Sequence, residues 1–103
     1  EAMQHGLHVV STDFSGPADF LTKENSLLVD WTRRDLQVND YLNFTKSWWA
    51  EPNEATALKQ LEAAFQLSCE GPNLSAIKTG KEFEFEALAK RYQRILSVYL
   101  STP

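Results

Sequence analysis

The strongest fold signal in this chain lies in residues 6–29, which run GLHVVSTDFSGPADFLTKENSLLV. Two short apolar segments, Leu7–Thr12 and Leu27–Val29, have the β-branched and continuously apolar character of strands that are covered on both faces. Between them, Pro17 suits the first position of a short helix that runs to about Thr22. Strands separated by a helix predict a parallel sheet, and therefore an α/β fold.

The residues on either side of this segment extend the prediction. Residues 1–5 have the character of the last turns of a helix, which Gly6 ends in a left-handed conformation. Residues 30–50 show no helical period and are predicted to form one long connection. A long amphipathic helix then opens at Pro52 and Asn53. Its predicted apolar face comprises Ala57, Leu58, Leu61, Ala64 and Phe65.

A second amphipathic helix closes the chain. Gly71 and Pro72 end the preceding helix, and a polar stretch that contains Gly80 leads to a helix over roughly Glu84 to Ser101. Its apolar stripe is broader than one contact seam requires. The stripe comprises Phe85, Leu88, Tyr92, Ile95 and Tyr99, widened by Ala89, Leu96 and Leu100.

Two short strands are fewer than a stable sheet normally contains. The chain also begins within a predicted helix, so we expect residues 1–103 to be one part of a longer protein. Part of the closing stripe and one edge of the sheet should then be exposed in the free chain. Exposed apolar patches and open strand edges both promote association, and this predicts self-association of the chain.

Composition excludes several function classes. The chain has 103 residues, a net charge of -4, 43% hydrophobic and 23% charged residues, as is ordinary for one globular domain. Its largest basic cluster is the pair Arg33-Arg34, which argues against a nucleic-acid partner. No apolar run approaches the length of a transmembrane span. The single cysteine, Cys69, cannot form an internal disulfide and fits a reducing compartment, so we predict a cytoplasmic location.

Several segments resemble the group 1 glycosyltransferases, which are retaining enzymes of the two-domain GT-B fold. The similarity begins with EAMQHGLHVVSTD (residues 1–13), continues through the SGPADF turn (15–20) and includes ENSLLV (24–29). WAEP (49–52) before a helix and YQRIL (92–96) in the closing helix also resemble that family. The sequence departs from the usual pattern at His8, where proline is common, and at Ser26, where glycine is common.

The resemblance implies a partial C-terminal nucleotide-sugar-binding domain over residues 1–103, the C-terminal part of a Rossmann-like GT-B domain. Its expected partners are a nucleotide diphosphate sugar, which is the donor substrate, and an N-terminal acceptor domain of the same polypeptide. No tightly bound cofactor or metal is implied. No catalytic residue of the family falls within this chain, so the 103 residues alone are expected to be inactive. The alternative is a non-catalytic nucleotide-sugar-binding or interaction domain with the same fold.

The resemblance also indicates candidate site residues. Glu1 matches a family glutamate that accepts hydrogen bonds from the donor ribose, a role in which a carboxylate gains charge-assisted bonds. The turn after the first predicted strand, Thr12, Asp13, Ser15 and Gly16, lies where ligands gather in open α/β sheets. The same residues are ordinary turn formers, and both interpretations stay open.

Other chemically capable residues favour structural roles. His5 and His8 are predicted to lie apart and to lack the further ligands that a zinc site needs. Cys69 has no recognisable partner histidine and is predicted to be inert. Trp31, Trp48 and Trp49 could stack on a sugar ring, but they bury so much area that we expect them to anchor the long connection to the core.

Overall fold

A computed structural model describes residues 1–42 and 46–101 as a mixed α/β chain. Short 3₁₀ segments form at Ala2–His5 and Gly16–Asp19. The strands are β1 (Val10–Thr12), β2 (Leu27–Val29), β3 (Trp31–Asp35) and β4 (Trp48–Pro52). The helices are α1 (Glu54–Glu70), α2 (Leu74–Lys81) and α3 (Phe85–Leu100).

The predicted parallel pair is confirmed. β1 and β2 lie side by side in parallel register, with Val10 opposite Leu27 and Thr12 opposite Val29. β1 is shorter than predicted, because it begins at Val10 and not at Leu7. The predicted helix between the strands is only the 3₁₀ segment Gly16–Asp19, because Pro17 sets its first turn and nothing extends it to Thr22.

The prediction of one long connection over residues 30–50 is wrong for the described part of that segment. β3 and β4 form an antiparallel pair, in which Arg34 lies opposite Trp49 and Arg33 opposite Ala50. The Arg34 guanidinium lies 5.1 Å from the centre of the Trp49 ring. Such cross-strand contacts stabilise a hairpin even where charged residues interrupt an apolar pattern. Residues 43–45 of the predicted connection lie outside the described residues.

α1 and α2 begin where asparagine side chains cap them, whereas α3 begins without a side-chain cap. The Asn53 Oδ1 atom accepts a hydrogen bond of 2.8 Å from the Thr56 amide at the start of α1. Pro52, predicted to open this helix, is the last residue of β4. α2 was not predicted; it starts because the Asn73 Oδ1 atom accepts from the Ala76 amide at 3.0 Å. α3 confirms the predicted closing helix, with Glu84 and Ser101 as its flanking residues.

A small core joins the first 3₁₀ segment to α2. Met3, Leu21 and Ala76 are buried together, and Val9 and Leu28 pack against them. Gly6 has the predicted left-handed conformation, with φ of 73°, although the segment that it ends is 3₁₀ and not α-helical. At Gly80 the backbones approach so closely that an added Cβ would lie 2.8 Å from the Gln4 nitrogen.

Asn25 connects the start of β2 to α2. Asn25 is only 5% exposed, and its side-chain Oδ1 atom accepts a hydrogen bond of 2.8 Å from the Thr22 backbone amide. Its Nδ2 group donates to the Phe20 carbonyl at 2.9 Å and to the Thr79 hydroxyl at 3.0 Å. The backbone carbonyl of Asn25 in turn accepts a hydrogen bond of 2.9 Å from the side-chain Nδ2 group of Asn73. One buried side chain therefore fixes both the turn before β2 and the position of α2.

The apolar faces of the two long helices are largely exposed. α1 packs against β1 and β2, yet Leu61 and Phe65 of its predicted apolar face are 56% and 66% exposed. None of the residues of α3 is buried, and Phe85 and Tyr92 are exposed by 85% and 62%. The predicted exposure of the closing stripe is confirmed, whereas self-association stays a prediction.

Substitution of Asn25 should destabilise the fold strongly. In Asn25→Ala the Phe20 carbonyl and the Thr22 amide lose their buried partner, so we expect the free energy of unfolding to fall by about 2–3 kcal/mol. Gln93→Ala removes an exposed amide on α3 and is the matched control, with an expected change below about 0.5 kcal/mol. Urea unfolding measures both; equal stability of the two variants would contradict the role of Asn25.

The close contact at Gly80 leads to a second stability prediction. A methyl group there meets Gln4 backbone atoms, which cannot move aside as a flexible side chain can. Gly80→Ala should therefore lower the free energy of unfolding by about 1–3 kcal/mol. Gly16→Ala is the control, since nothing lies within 4 Å of an added Cβ there. Thermal unfolding of both variants tests the contact, which is refuted if Gly80→Ala unfolds at the temperature of the parent.

Candidate functional site

The candidate site lies at the carboxyl edge of the parallel pair. β1 ends at Thr12 and β2 at Val29, so Asp13 and Asp30 follow the two strands at the same edge. The Trp31 indole N–H donates to the Asp13 carbonyl at 2.8 Å and ties the two strand ends together. Ligands of open α/β sheets bind at this edge, because loops that follow parallel strands converge there.

A cavity of about 730 Å³ opens beside these strand ends and extends between β2 and α1. Asp13, Asp30, Lys23 and Lys59 are among its lining residues, together with Thr56 and Gln60. Its volume falls in the range of small-molecule sites. The carboxylates can accept bonds from hydroxyl groups, and the ammonium groups can bind anionic oxygens.

Polar contacts with β2, and with Asp30 directly after it, fix α1 at this cavity. The Gln60 amide donates to the Leu28 carbonyl at 2.8 Å. The Thr56 hydroxyl lies 3.3 Å from an Asp30 carboxylate oxygen and 3.0 Å from Asn53 Oδ1, and it can donate its one proton to either. These contacts hold the wall of the cavity and leave the exposed Lys59 side chain available to a ligand.

The turn residues singled out from the sequence take different positions. Of these four residues, Asp13 lines the cavity, whereas Thr12 is the half-buried last residue of β1. Ser15 has a φ of 58° and precedes the 3₁₀ segment without capping it through its side chain. Gly16 is exposed, with open space around its Cα. The segment has only four residues, so its dipole offers an anion much less than a full helix would.

Glu1 lies in a separate place. It is exposed, its carboxylate does not cap the 3₁₀ segment that follows, and it lines a smaller cavity of about 340 Å³. Met3, Val9, Phe20 and Phe83 make the lining of that cavity mainly apolar. Glu1 and Asp13 therefore line two different cavities.

The tryptophans belong to the β3–β4 hairpin, which replaces the long connection that they were expected to anchor to the core. The ring of Trp48 lies 6.2 Å from Trp31 in a stacked arrangement and 5.2 Å from Phe14, and the Arg33 guanidinium lies 5.0 Å from its centre. Trp49 donates through its indole N–H to a Glu51 carboxylate oxygen at 2.9 Å. Because aromatic rings and guanidinium groups of the chain lie against these indoles, we do not assign them to sugar stacking.

Of the two histidines, His8 makes a structural contact. The His8 Nε2 atom lies 2.9 Å from the Gly71 carbonyl oxygen, which joins the segment before β1 to the end of α1. His5 and Cys69 are exposed. Within residues 1–42 and 46–101, no group of three or more His, Cys, Asp or Glu side chains is placed to hold a metal ion.

Sequence reasoning missed the residues that build this region. In the sequence Asn25 has only the character of a turn residue, and neither Lys23 nor Lys59 belongs to a recognisable motif. The start of α2 was detectable at Asn73. An asparagine is a common helix cap, and the apolar residues Leu74 and Ile77, three residues apart, indicate one apolar face of a helix that follows it. The contacts of Asn25 join residues far apart in sequence, and no local pattern announces them.

No family model, curated protein or solved structure matches the chain. In the described part of the chain, no helix is both long enough and apolar enough to cross a bilayer.

Proposed function

We propose that the chain is the donor-binding part of a retaining glycosyltransferase, which moves a sugar from a nucleotide diphosphate to an acceptor hydroxyl. The proposal rests on the resemblance of residues 1–29 to the group 1 enzymes and on the arrangement of the same residues. In this proposal, residues 1–103 are a partial Rossmann-like domain of the GT-B fold, and the acceptor domain precedes them in a longer polypeptide.

The observation that carries the proposal is the cavity at the carboxyl edge of β1 and β2. Parallel strands that are consecutive in the chain present Asp13 and Asp30 at one edge, next to Lys23 and Lys59. Carboxylates suit sugar and ribose hydroxyls, and ammonium groups suit a diphosphate. A nucleotide sugar offers both kinds of group, and the cavity of about 730 Å³ is of the right order for such a molecule.

The resemblance alone supports the proposed role of Glu1 in binding the ribose, because Glu1 lines a cavity separate from the one at Asp13 and Asp30, and a donor would have to extend beyond that cavity to reach it. The exposed carboxylate of Glu1 is free of a capping bond and can accept from two neighbouring hydroxyls. The groups that stabilise the leaving diphosphate would come from the preceding part of the polypeptide, and this electrostatic contribution usually dominates such reactions. The chain itself would bind and orient the donor, and it would transfer no sugar alone.

A second candidate is a non-catalytic nucleotide-sugar-binding or interaction domain. The exposed apolar residues of α1 and α3 favour it, since large exposed patches commonly mark interaction surfaces. The two candidates differ in what the ligand site is for: a transferase must turn over its donor, whereas a binding domain only holds it.

Substitution of Glu1 tests the donor role in the complete transferase. Loss of hydrogen bonds to a charged group costs on the order of 1.5–3 kcal/mol each, so Glu1→Ala should reduce kcat/KM for the donor by at least about ten-fold. Glu70→Ala removes an exposed glutamate at the end of α1 and should leave the kinetics unchanged. Equal kinetics for the two variants would show that Glu1 does not contact the donor.

Ligand binding separates the proposed role of the cavity from a merely structural one. Uridine, guanosine and adenosine diphosphates are titrated into the chain and the backbone amide resonances are followed by NMR. We expect one of the three to shift the amides of Asp13, Asp30 and Lys59, and Lys59→Gln to weaken that binding about five-fold or more. Lys78→Gln on α2 is the control. Unchanged spectra with all three nucleotides would refute nucleotide binding at this cavity.

A further inference from the structure

α3 has the residue pattern of a helix that lies on a surface. Its 16 residues place most of the large apolar side chains within an arc of about 140°, as successive residues turn by about 100°, whereas Val98 falls on the opposite side. That arc contains Phe85, Leu88, Tyr92, Ile95 and Leu96. No residue of α3, all of which the structure describes, is buried, and Leu96 is 52% exposed. Leu88 is half-buried, whereas the exposed side chains of Phe85, Tyr92 and Leu96 are accessible to a binding partner.

The opposite arc of α3 is basic. Lys90, Arg91 and Arg94 lie on the polar side of the helix, where Glu86 is the one acidic residue. α3 thus carries a formal charge of +2 in a chain whose net charge is -4. Long basic side chains can extend along a helix and reach past its apolar face towards anionic groups. The charge of α3 therefore complements an anionic surface, unlike that of the chain as a whole.

α1 shows that exposed apolar residues alone do not produce this pattern. Leu61 and Phe65 of α1 are exposed to a similar degree, but Glu54, Glu62 and Glu70 make that helix acidic. The exposed apolar seam of α1 is also narrower, and β1 and β2 pack against the helix elsewhere. Of the two long helices, α3 alone combines a wide apolar arc with a basic polar face.

We propose that α3 binds the interface of an anionic phospholipid bilayer, with its axis parallel to the membrane plane. The apolar arc enters the boundary between headgroups and acyl chains, and the basic side chains bind the lipid phosphates. The helix is about 24 Å long, enough to hold the whole arc at one depth. This mode of binding requires no segment that crosses the bilayer, and it does not depend on the proposed function.

The charge pattern favours a lipid surface over a second copy of the chain. A second α3 helix carries the same positive charge and offers these basic side chains no anionic partner, whereas lipid phosphates do. The exposed seam of α1 on a second copy has complementary charge, but it is too narrow to cover the arc of α3. The interface of a bilayer is wide enough to cover the whole apolar arc of α3.

Vesicle co-sedimentation of the purified chain tests the proposal. Vesicles of phosphatidylcholine alone are compared with vesicles that contain about 30% phosphatidylserine, and we expect partition into the anionic vesicles to be at least about ten-fold greater. Raised salt should weaken that binding, because salt screens the contacts with lipid phosphates. Partition that is equal for the two lipid compositions, or absent from both, would overturn the proposal.

Matched variants locate the binding surface. Leu96→Gln should reduce partition by about ten-fold, whereas Leu61→Gln on α1, at a leucine of similar exposure, should leave it unchanged. Lys90→Glu should reduce it by about ten-fold or more, and Lys78→Glu on α2, which alters the net charge equally, by clearly less. Urea unfolding of each variant shows that the fold persists, since all four positions are exposed.

Light scattering in the absence of lipid measures the oligomeric state and so tests whether a second copy of the chain covers α3. A dilution-resistant oligomer that Leu96→Gln dissociates, combined with no binding to anionic vesicles, would identify a second copy as the partner of α3 and overturn the proposal. A chain that stays monomeric and partitions into anionic vesicles through α3 supports it.

Discussion

The hydrogen bonds of the Asn25 side chain are the constraint on which the rest of the structure depends. The amide group is nearly inaccessible to water and joins the Phe20 carbonyl, the Thr22 amide and the Thr79 hydroxyl. Each of these groups would lose a partner if the turn moved, and unsatisfied buried polar groups are costly. The turn therefore has one position relative to α2. Since β2 follows this turn directly, the register of β2 against β1 depends on the same contacts.

This constraint compensates for a small hydrophobic core. Met3, Leu21 and Ala76 form the buried cluster, which is little for a chain of this length. Asn73 adds to the polar framework: its backbone amide donates to the Gly6 carbonyl at 2.8 Å, and its side chain donates to Asn25. Polar contacts, which have stricter geometry than apolar ones, thus position the elements that the core alone would hold loosely.

Local sequence signals predicted the elements that local contacts form. The strand Leu27–Val29, the left-handed Gly6 and the closing helix follow from β-branched residues, a glycine at a turn and apolar spacing. The hairpin was not predictable in this way, since Arg34 and Trp49 stabilise each other across two strands although they lie 15 residues apart in sequence. The cavity depends on contacts of the same long range, between β2 and α1. For that reason Asp13 could be singled out from its turn, whereas Lys23 and Lys59 could not.

The pairing of the parallel strands also determines where the sheet can grow. The Leu27 amide donates to the Val9 carbonyl, so the backbone groups of Val10 and Thr12 point away from β2. On the far side of β2, the Gln60 side chain already donates to the Leu28 carbonyl. We therefore expect a further strand to join beside β1, at the backbone groups of Val10 and Thr12. The cavity between β2 and α1 lies on the other side of the pair, so a larger sheet would leave it open. A longer donor-binding sheet, as the proposed function requires, is thus compatible with the candidate site.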